Sequence, residues 1–247
     1  MKNHALGVFL FGLATVISMT LLYGIDLGRG WIEVSGSTAK EYEVPIRKVQ
    51  TAELRTALTF NASEDNDRSG ELLELLDERG TKASFFVTAA WAESHPEELR
   101  GMADGGHDLG LLEHGEETEE ELLASRKELE ELSGEEIRLF RPEEDPCGRE
   151  TVRRAGACGL QTIGWSVDSL DWKEYGAEAV IRQISENLES GSIILCRTDA
   201  EDTREALEGL LELFGIQGYE AVTAAELLSG GQGYAERDGT WVPEQTA

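Results

Sequence analysis

From Thr56 to Leu228 the chain switches repeatedly between short β-type runs and leucine-rich helical stretches. TALTF (56–60) reads as a strand. GELLELLDERG (70–80) reads as a helix, with leucines at 72, 73, 75 and 76 and a glycine stop. ASFFVT (83–88) is a further strand, followed by a helix over 95–104 in which Pro96 suits the first turn. HDLGLL (107–112) is a strand, and Thr118 with Glu121 three residues on is a capping-box pattern opening a helix to about 133. Strands near 137–140, 160–166, 192–197 and 219–222 then alternate with helices near 149–156, 176–189, 203–214 and 223–228. Consecutive parallel strands need long crossovers, and helices supply them, so this rhythm demands a parallel α/β sheet. Seven or eight such units predict a closed barrel.

The 247 residues, 40% of them hydrophobic, suffice for one domain of about 190–200 residues and an appendage. With 22 basic and 49 acidic residues the formal charge is −27. That excludes nucleic acid as a partner, because binding needs a basic face to displace counterions. It also opposes tight docking on anionic lipid or teichoic-acid-like polymers without a bridging cation. Cys147, Cys158 and Cys196 are an odd number without CxxC spacing, which argues against a zinc site. Cys158 and Cys196 stand in apolar contexts and read as buried thiols; one disulfide with a leftover thiol is the other arrangement.

Residues 5–25 carry no charge and span about 31 Å as a helix, enough to cross a bilayer core. Lys2 lies before this span and Asp26 after it, which places the N-terminus in the cytoplasm and the domain outside, as a single-pass protein of the cell membrane. A cleaved signal peptide is the alternative, although no clear A-x-A-like site follows. Residues 26–43 read as a stalk, and 231–247 as a loosely ordered tail.

Six segments stand in order along this frame: TALTFNASE (56–64), KASFFVT (82–88), GHDLGLLEHGE (106–116), LFRPEED (139–145), WSVDSLDW (165–172) and GSIILCR (191–197). Their succession resembles the polysaccharide deacetylase family (NodB-homology, carbohydrate esterase family 4), most closely its membrane-anchored sporulation branch, over about residues 44–230. The resemblance implies a distorted (β/α)7 barrel with its site at the C-terminal ends of the strands. It implies hydrolysis of non-peptide C–N bonds, releasing acetyl groups from chitin or peptidoglycan glycans, with a divalent metal held by one Asp and two His. In such chemistry the metal polarises the acetyl carbonyl and acidifies a bound water. A carboxylate takes the water's proton, and a protonated His gives one to the leaving amine.

Carried over position by position, the resemblance puts Asn61 where the base stands and Ala62 where the Asp ligand stands. An amide cannot take up a proton near neutral pH, and a methyl group cannot bind a metal. Leu112 and Glu116 fall at the two His ligand positions, and one carboxylate is a poor zinc site. His107 falls outside the metal triad, as a structural residue. Arg141 matches the arginine that orients the base, and Glu143 and Glu144 replace the Pro and Tyr that follow it. Asp168, Asp171 and Trp172 match a DxxDW motif whose second Asp tunes the catalytic His of an LxH motif. Here LxH reads Leu195, Cys196, Arg197, and an arginine stays protonated, so it cannot serve as general acid.

The retained Asp171 is therefore expected to pair with Arg197 across the mouth, with Glu143 and Glu144 as ion-pair partners for Arg141. Trp172, Leu195, Glu143 and Glu144 form the expected groove. These losses lead to a catalytically inactive pseudoenzyme without a cofactor. It would bind peptidoglycan or another N-acetylated glycan, or act as an envelope or sporulation scaffold, and meet the membrane through its N-terminal helix. The alternative is an active deacetylase of peptidoglycan or chitin-like glycans with a rebuilt site, in which Asp65, Asp67, His114 and Glu116 hold zinc through mixed N/O ligands. A third reading is a protein-binding partner whose groove is plugged by Arg197, Glu143 and Glu144.

Overall fold

The computed structural model describes residues 43–62, 67–113, 115, 117–143, 146–229 and 232–244. After a short strand β1 (Lys48–Val49), the chain enters the long strand β2 (Arg55–Asn61), in which Thr56 to Phe60 are all buried. Helix α1 (Ser69–Glu78) leads to β3 (Ser84–Val87), buried at every position. Helices α2 (Ala89–Ser94) and α3 (Pro96–Asp104) precede β4 (Asp108–Leu112), and α4 (Glu119–Ser133) precedes β5 (Leu139–Arg141). Then come α5 (Arg149–Ala157), β6 (Gln161–Thr162), β7 (Val167–Asp168), a 3-10 turn (Asp171–Lys173) and α6 (Ala177–Asn187). Strand β8 (Ile193–Arg197), α7 (Thr203–Gln217), β9 (Glu220–Val222) and α8 (Ala224–Leu228) complete the alternation.

Side by side the strands run β6–β5–β4–β3–β2–β8–β7, every pairing parallel, and β9 joins the first half of β2. Strands covered on both faces need continuous apolar runs rather than alternation, and TALTF, SFFV and IILC supply them. The helices bury one stripe each against the sheet: Leu72, Leu75 and Leu76 from α1, Leu122 and Leu129 from α4, and Leu207, Leu210 and Phe214 from α7. The capping box at Thr118 and Glu121 is present with both reciprocal bonds.

The parallel half-barrel matches the expected distorted (β/α)7 barrel, although its strand path is open rather than closed. Among the described residues no ladder joins β6 to β7. The extended lead-in before β2, EVPIRKVQT (43–51), lies between them: Ile46 N–H donates to Thr162 O at 2.9 Å, and Gly164 N–H donates to Ile46 O at 2.8 Å. Three residues on, Val49 N–H donates to Gly191 O at 2.8 Å at the entry to β8. The expected strand near 160–166 is therefore cut to β6 at 161–162 where the lead-in docks, and β7 follows it at 167–168.

Two further expectations are corrected. Most of the tail read as loosely ordered forms a hairpin, β10 (Gly233–Ala235) and β11 (Thr240–Pro243), with β11 parallel to β1. Ala235 and Trp241 are buried, so the hairpin has an apolar anchor within its otherwise polar sequence. The expected single-pass membrane protein is also not carried forward. No helix among the described residues is long and apolar enough to cross a membrane, and the span at 5–25 and most of the stalk lie outside them.

Gly191 has φ +81°, and a Cβ there would sit 1.8 Å from Val49 O. Gly191→Ala should therefore lower stability by about 2 kcal/mol or more, because both its backbone and the lead-in must move. Gly156→Ala in α5, where a Cβ meets nothing within 4 Å, should be neutral or slightly stabilising. Urea midpoints of the two variants check this difference.

Candidate functional site

The C-terminal ends of the parallel strands gather the positions the motifs single out. Asn61 ends β2 level with Phe86 on β3 and Arg197 on β8. Leu112 ends β4 level with Arg141 on β5. Register alone brings these residues to one rim, because Asn61, Leu112, Arg141 and Arg197 each stand at the last position of their strands and Phe86 one before the last.

Arg141 is fully buried. Its Nη1 donates to Asn61 Oδ1 at 3.0 Å, and its Nε and Nη2 donate to the carbonyls of Ile163 and Gly164, both at 3.3 Å. The guanidinium also lies 3.9 Å from the centroid of the Phe86 ring and 5.6 Å from that of Trp165. Glu143 is exposed and accepts from Gly115 N–H at 3.1 Å rather than from Arg141, which corrects its expected role as ion-pair partner. Glu144 lies outside the described residues.

The expected ion pair of Asp171 with Arg197 is replaced by a different arrangement. Arg197 Nε and Nη2 clamp Asp199 in a bidentate pair at 2.9 and 3.0 Å. Asp171 Oδ2 accepts from the backbone N–H of Arg197 at 2.9 Å and from Thr203 Oγ1 at 2.8 Å, while Oδ1 accepts from Trp172 N–H at 3.0 Å. With its oxygens committed to these donors, Asp171 needs no guanidinium. Burial pushes its carboxyl above the usual range, opposed by these bonds. The bidentate Asp199 contact pushes the Arg197 guanidinium further up.

Asp168 Oδ1 accepts from Leu170 N–H at 2.9 Å and so shapes the turn before Trp172. Leu195 is buried strand core and does not line a groove. Trp172 is 54% exposed, with the Lys173 ammonium 5.0 Å from its ring centroid. Cys158 and Cys196 are buried free thiols, and Cys147 is half-buried. Burial pushes the Cys196 thiol well above its ordinary range, so it stays protonated.

Ala62 and Leu112 offer no donor atom to a metal. Asp67, the one described member of the rebuilt ligand set, accepts from Thr198 Oγ1 through Oδ1 and from the Ser69 backbone and hydroxyl through Oδ2. It closes the turn into α1, which corrects its reading as a ligand. Asp65, His114 and Glu116 lie outside the described residues. Among the described residues no three His, Cys, Asp or Glu side chains stand together as a metal site.

Sequence reasoning missed Asp199, Thr203 and the nearly buried Glu113–Arg154 pair. Asp199 was within reach of an i, i+2 reading beside Arg197. Glu113 and Arg154 lie 41 residues apart and carry no local signal. Burial raises the Glu113 carboxyl, and Arg154 draws it back down.

A parallel half-barrel whose strand tips carry these motifs defines the polysaccharide deacetylase class of α/β domain. The polysaccharide deacetylase family model matches residues 48–163, and the chain belongs to that family. It is 29% identical over 186 residues to a peptidoglycan-N-acetylglucosamine deacetylase of Bacillus cereus, covering 70% of this chain and 87% of the relative. A Listeria monocytogenes peptidoglycan-N-acetylglucosamine deacetylase is 28% identical over 200 residues, 77% of this chain but only 42% of its own length. In fold the chain is similar to a carbohydrate esterase family 4 pseudoenzyme from Bacillus anthracis, with a TM-score of 0.70 and 22% identity over 77% of this chain and 71% of that one.

Two outcomes follow from the geometry. Asp171→Ala should cost about 3 kcal/mol, since leaving a buried donor unsatisfied costs about 1–3 kcal/mol and several lose their acceptor. Arg197→Ala removes a partly exposed pair and should cost below about 1 kcal/mol. Equal losses in thermal unfolding would contradict the arrangement.

His107 accepts from Ala83 N–H through Nδ1 at 3.1 Å and packs edge-on against Phe85, a structural role. Burial lowers its pKa from 6.5 to about 4. The unfolded chain therefore takes up this proton first as pH falls. The term is absent above pH 6.5 and removes about 3 kcal/mol of stability as pH falls from 6.5 to 4. His107→Asn keeps an acceptor, and should shrink the difference between urea midpoints at pH 7 and pH 4.5.

Proposed function

We propose that the protein is a catalytically silent deacetylase-type module that binds an N-acetylated glycan of the cell envelope. The observation that carries this reading is the contact between Arg141 and Asn61. The arginine meets the oxygen of a neutral amide at 3.0 Å where the family's chemistry needs a basic carboxylate. An amide at that place polarises no water, and its geometry is already satisfied. Loss of the base coincides with loss of the acid, because Arg197 holds a permanent cation paired to Asp199. At the positions of two metal ligands, Ala62 and Leu112 have only hydrocarbon. Removing groups that act as a unit leaves no step for a single remaining member to accelerate.

Glycan binding is supported by Trp172, whose ring stands half in solvent on a fixed turn instead of in the core. A pyranose presents a face of C–H groups that covers such a ring, and its hydroxyls stay hydrogen-bonded at the rim. The Bacillus cereus relative is a deacetylase of peptidoglycan N-acetylglucosamine, and the Bacillus anthracis neighbour is a pseudoenzyme on the same fold. An N-acetylhexosamine polymer is accordingly the ligand class this protein should take.

Purified protein should release no acetate from peptidoglycan or chitin oligomers, with or without added zinc. Asn61→Asp alone should not restore release, because the ligand and acid positions stay unsuited. Titration calorimetry should show chitin oligomers binding to the unaltered chain and not to Trp172→Ala. Zinc-dependent acetate release by the unaltered chain would overturn the silent reading, and absence of binding would overturn the glycan reading.

A further inference from the structure

The turn that carries Trp172 also borders a cavity against α6. Leu170 and Tyr175 from the turn and Arg182, Gln183 and Glu186 from the helix line it; Trp172 does not. The turn is strained at both ends. Leu170 (φ 56°) and Glu174 (φ 53°) occupy the left-handed region without being glycine. Such conformations cost about 1–3 kcal/mol each and persist only where the surroundings over-determine them. Here Asp168 holds Leu170 N–H, Asp171 holds Trp172 N–H, and Asp202 Oδ2 accepts from Gly176 N–H at 2.8 Å.

This pinned, strained turn lifts two aromatic rings into water: Trp172, and Tyr175 at 73% exposure. Core packing explains neither. The helix side supplies polar groups with spare capacity. Gln183 Nε2 is anchored on Asp168 O at 3.2 Å, which aims the side chain while its Oε1 keeps no protein partner among the described residues. Arg182 and Glu186 stand four apart on one helix face, yet neither side chain has a hydrogen bond or ion pair among the described residues. The cavity thus offers a ring face, a guanidinium donor, an amide acceptor and a carboxylate acceptor, and its two charges cancel.

We propose that this cavity is a second sugar subsite. It takes an uncharged N-acetylhexosamine residue of the same glycan chain whose neighbour stacks on Trp172. The Tyr175 ring covers the C–H face of the pyranose, Arg182 donates to a hydroxyl or the acetamido oxygen, and Gln183 and Glu186 accept from hydroxyls or the acetamido N–H. Equal and opposite charges suit a neutral sugar better than a uronic acid, whose carboxylate would meet Glu186. The turn then serves as a ridge with one sugar seated on each side, which gives its strain a purpose. The subsite rests on the glycan-binding reading and adds a dependence on chain length.

The test is titration calorimetry with chitin oligomers of increasing length. For the unaltered chain, affinity should rise by about tenfold once the oligomer is long enough to occupy both flanks. Tyr175→Ala and Gln183→Ala should abolish that rise while leaving the shortest binding oligomer unaffected. Thermal midpoints should be unchanged for Tyr175→Ala, since its side chain is exposed. Trp172→Ala should weaken all lengths. If both cavity variants keep the full length dependence while Trp172→Ala loses binding, the second subsite is wrong and the glycan reading stands. If the unaltered chain binds no oligomer, both fall together.

Discussion

Arg141 carries its guanidinium, fully buried, to the place where the sheet's central strands meet its open edge. Taking a charge out of water costs several kcal/mol unless its donors are met. They are met from separate parts of the chain: an amide oxygen at the end of β2 and two carbonyls on the exit from β6. The Phe86 ring on β3 adds its electron-rich face. Those carbonyls belong to the stretch on which the lead-in docks, since Ile46 bonds on either side of Ile163. One side chain therefore ties the central strand to the seam, and the mouth of the barrel takes its shape around it.

Because register sets the rim, the chemistry at the strand tips can change without disturbing the fold. Asn61 and Arg197 pair through their main chains inside a run of parallel ladder, and Leu112 does the same against Arg141. A parallel strand needs only its amides and a side chain that fits at these positions. Catalysis needs a base, donor atoms for a metal and an acid of suitable pKa. The two sets of demands fall on different atoms, so the parallel barrel does not depend on which side chains stand at its strand tips.

Asp171 shows how a retained motif residue changes employment. Its oxygens bind two backbone N–H groups and a threonine hydroxyl, which hold the tip of β8, the start of α7 and the aromatic turn in one cluster. That cluster is neutral in demand, leaving Arg197 to close on Asp199. Strain in the turn persists because these bonds fix it, and the exposed rings of Trp172 and Tyr175 are the result. Asp171 thus serves as a positioning group for the aromatic turn.

Much of the fold was legible in the sequence because it follows from local rules. Period changes located most of the strands, leucine stripes gave the helices, and the Thr118 capping box gave a helix start to the residue. That Asn61, Ala62, Leu112 and Arg197 stand at the motif positions was equally legible, since the identity of a side chain is given by the sequence itself. What the sequence could not show was partner choice. Helix α2 hid behind a strand-like SFFVT, and the tail hairpin depended on Trp241 finding a buried place beside β1. Arg197 chose Asp199, two residues away, over an Asp171 already committed to backbone donors. The sequence by itself thus determined the rhythm of the barrel and which side chains stand at its rim. Only the tertiary structure decided how the seam is filled and which partner each buried charge takes, because hydrogen bonds between distant segments are settled by geometry that no local pattern encodes.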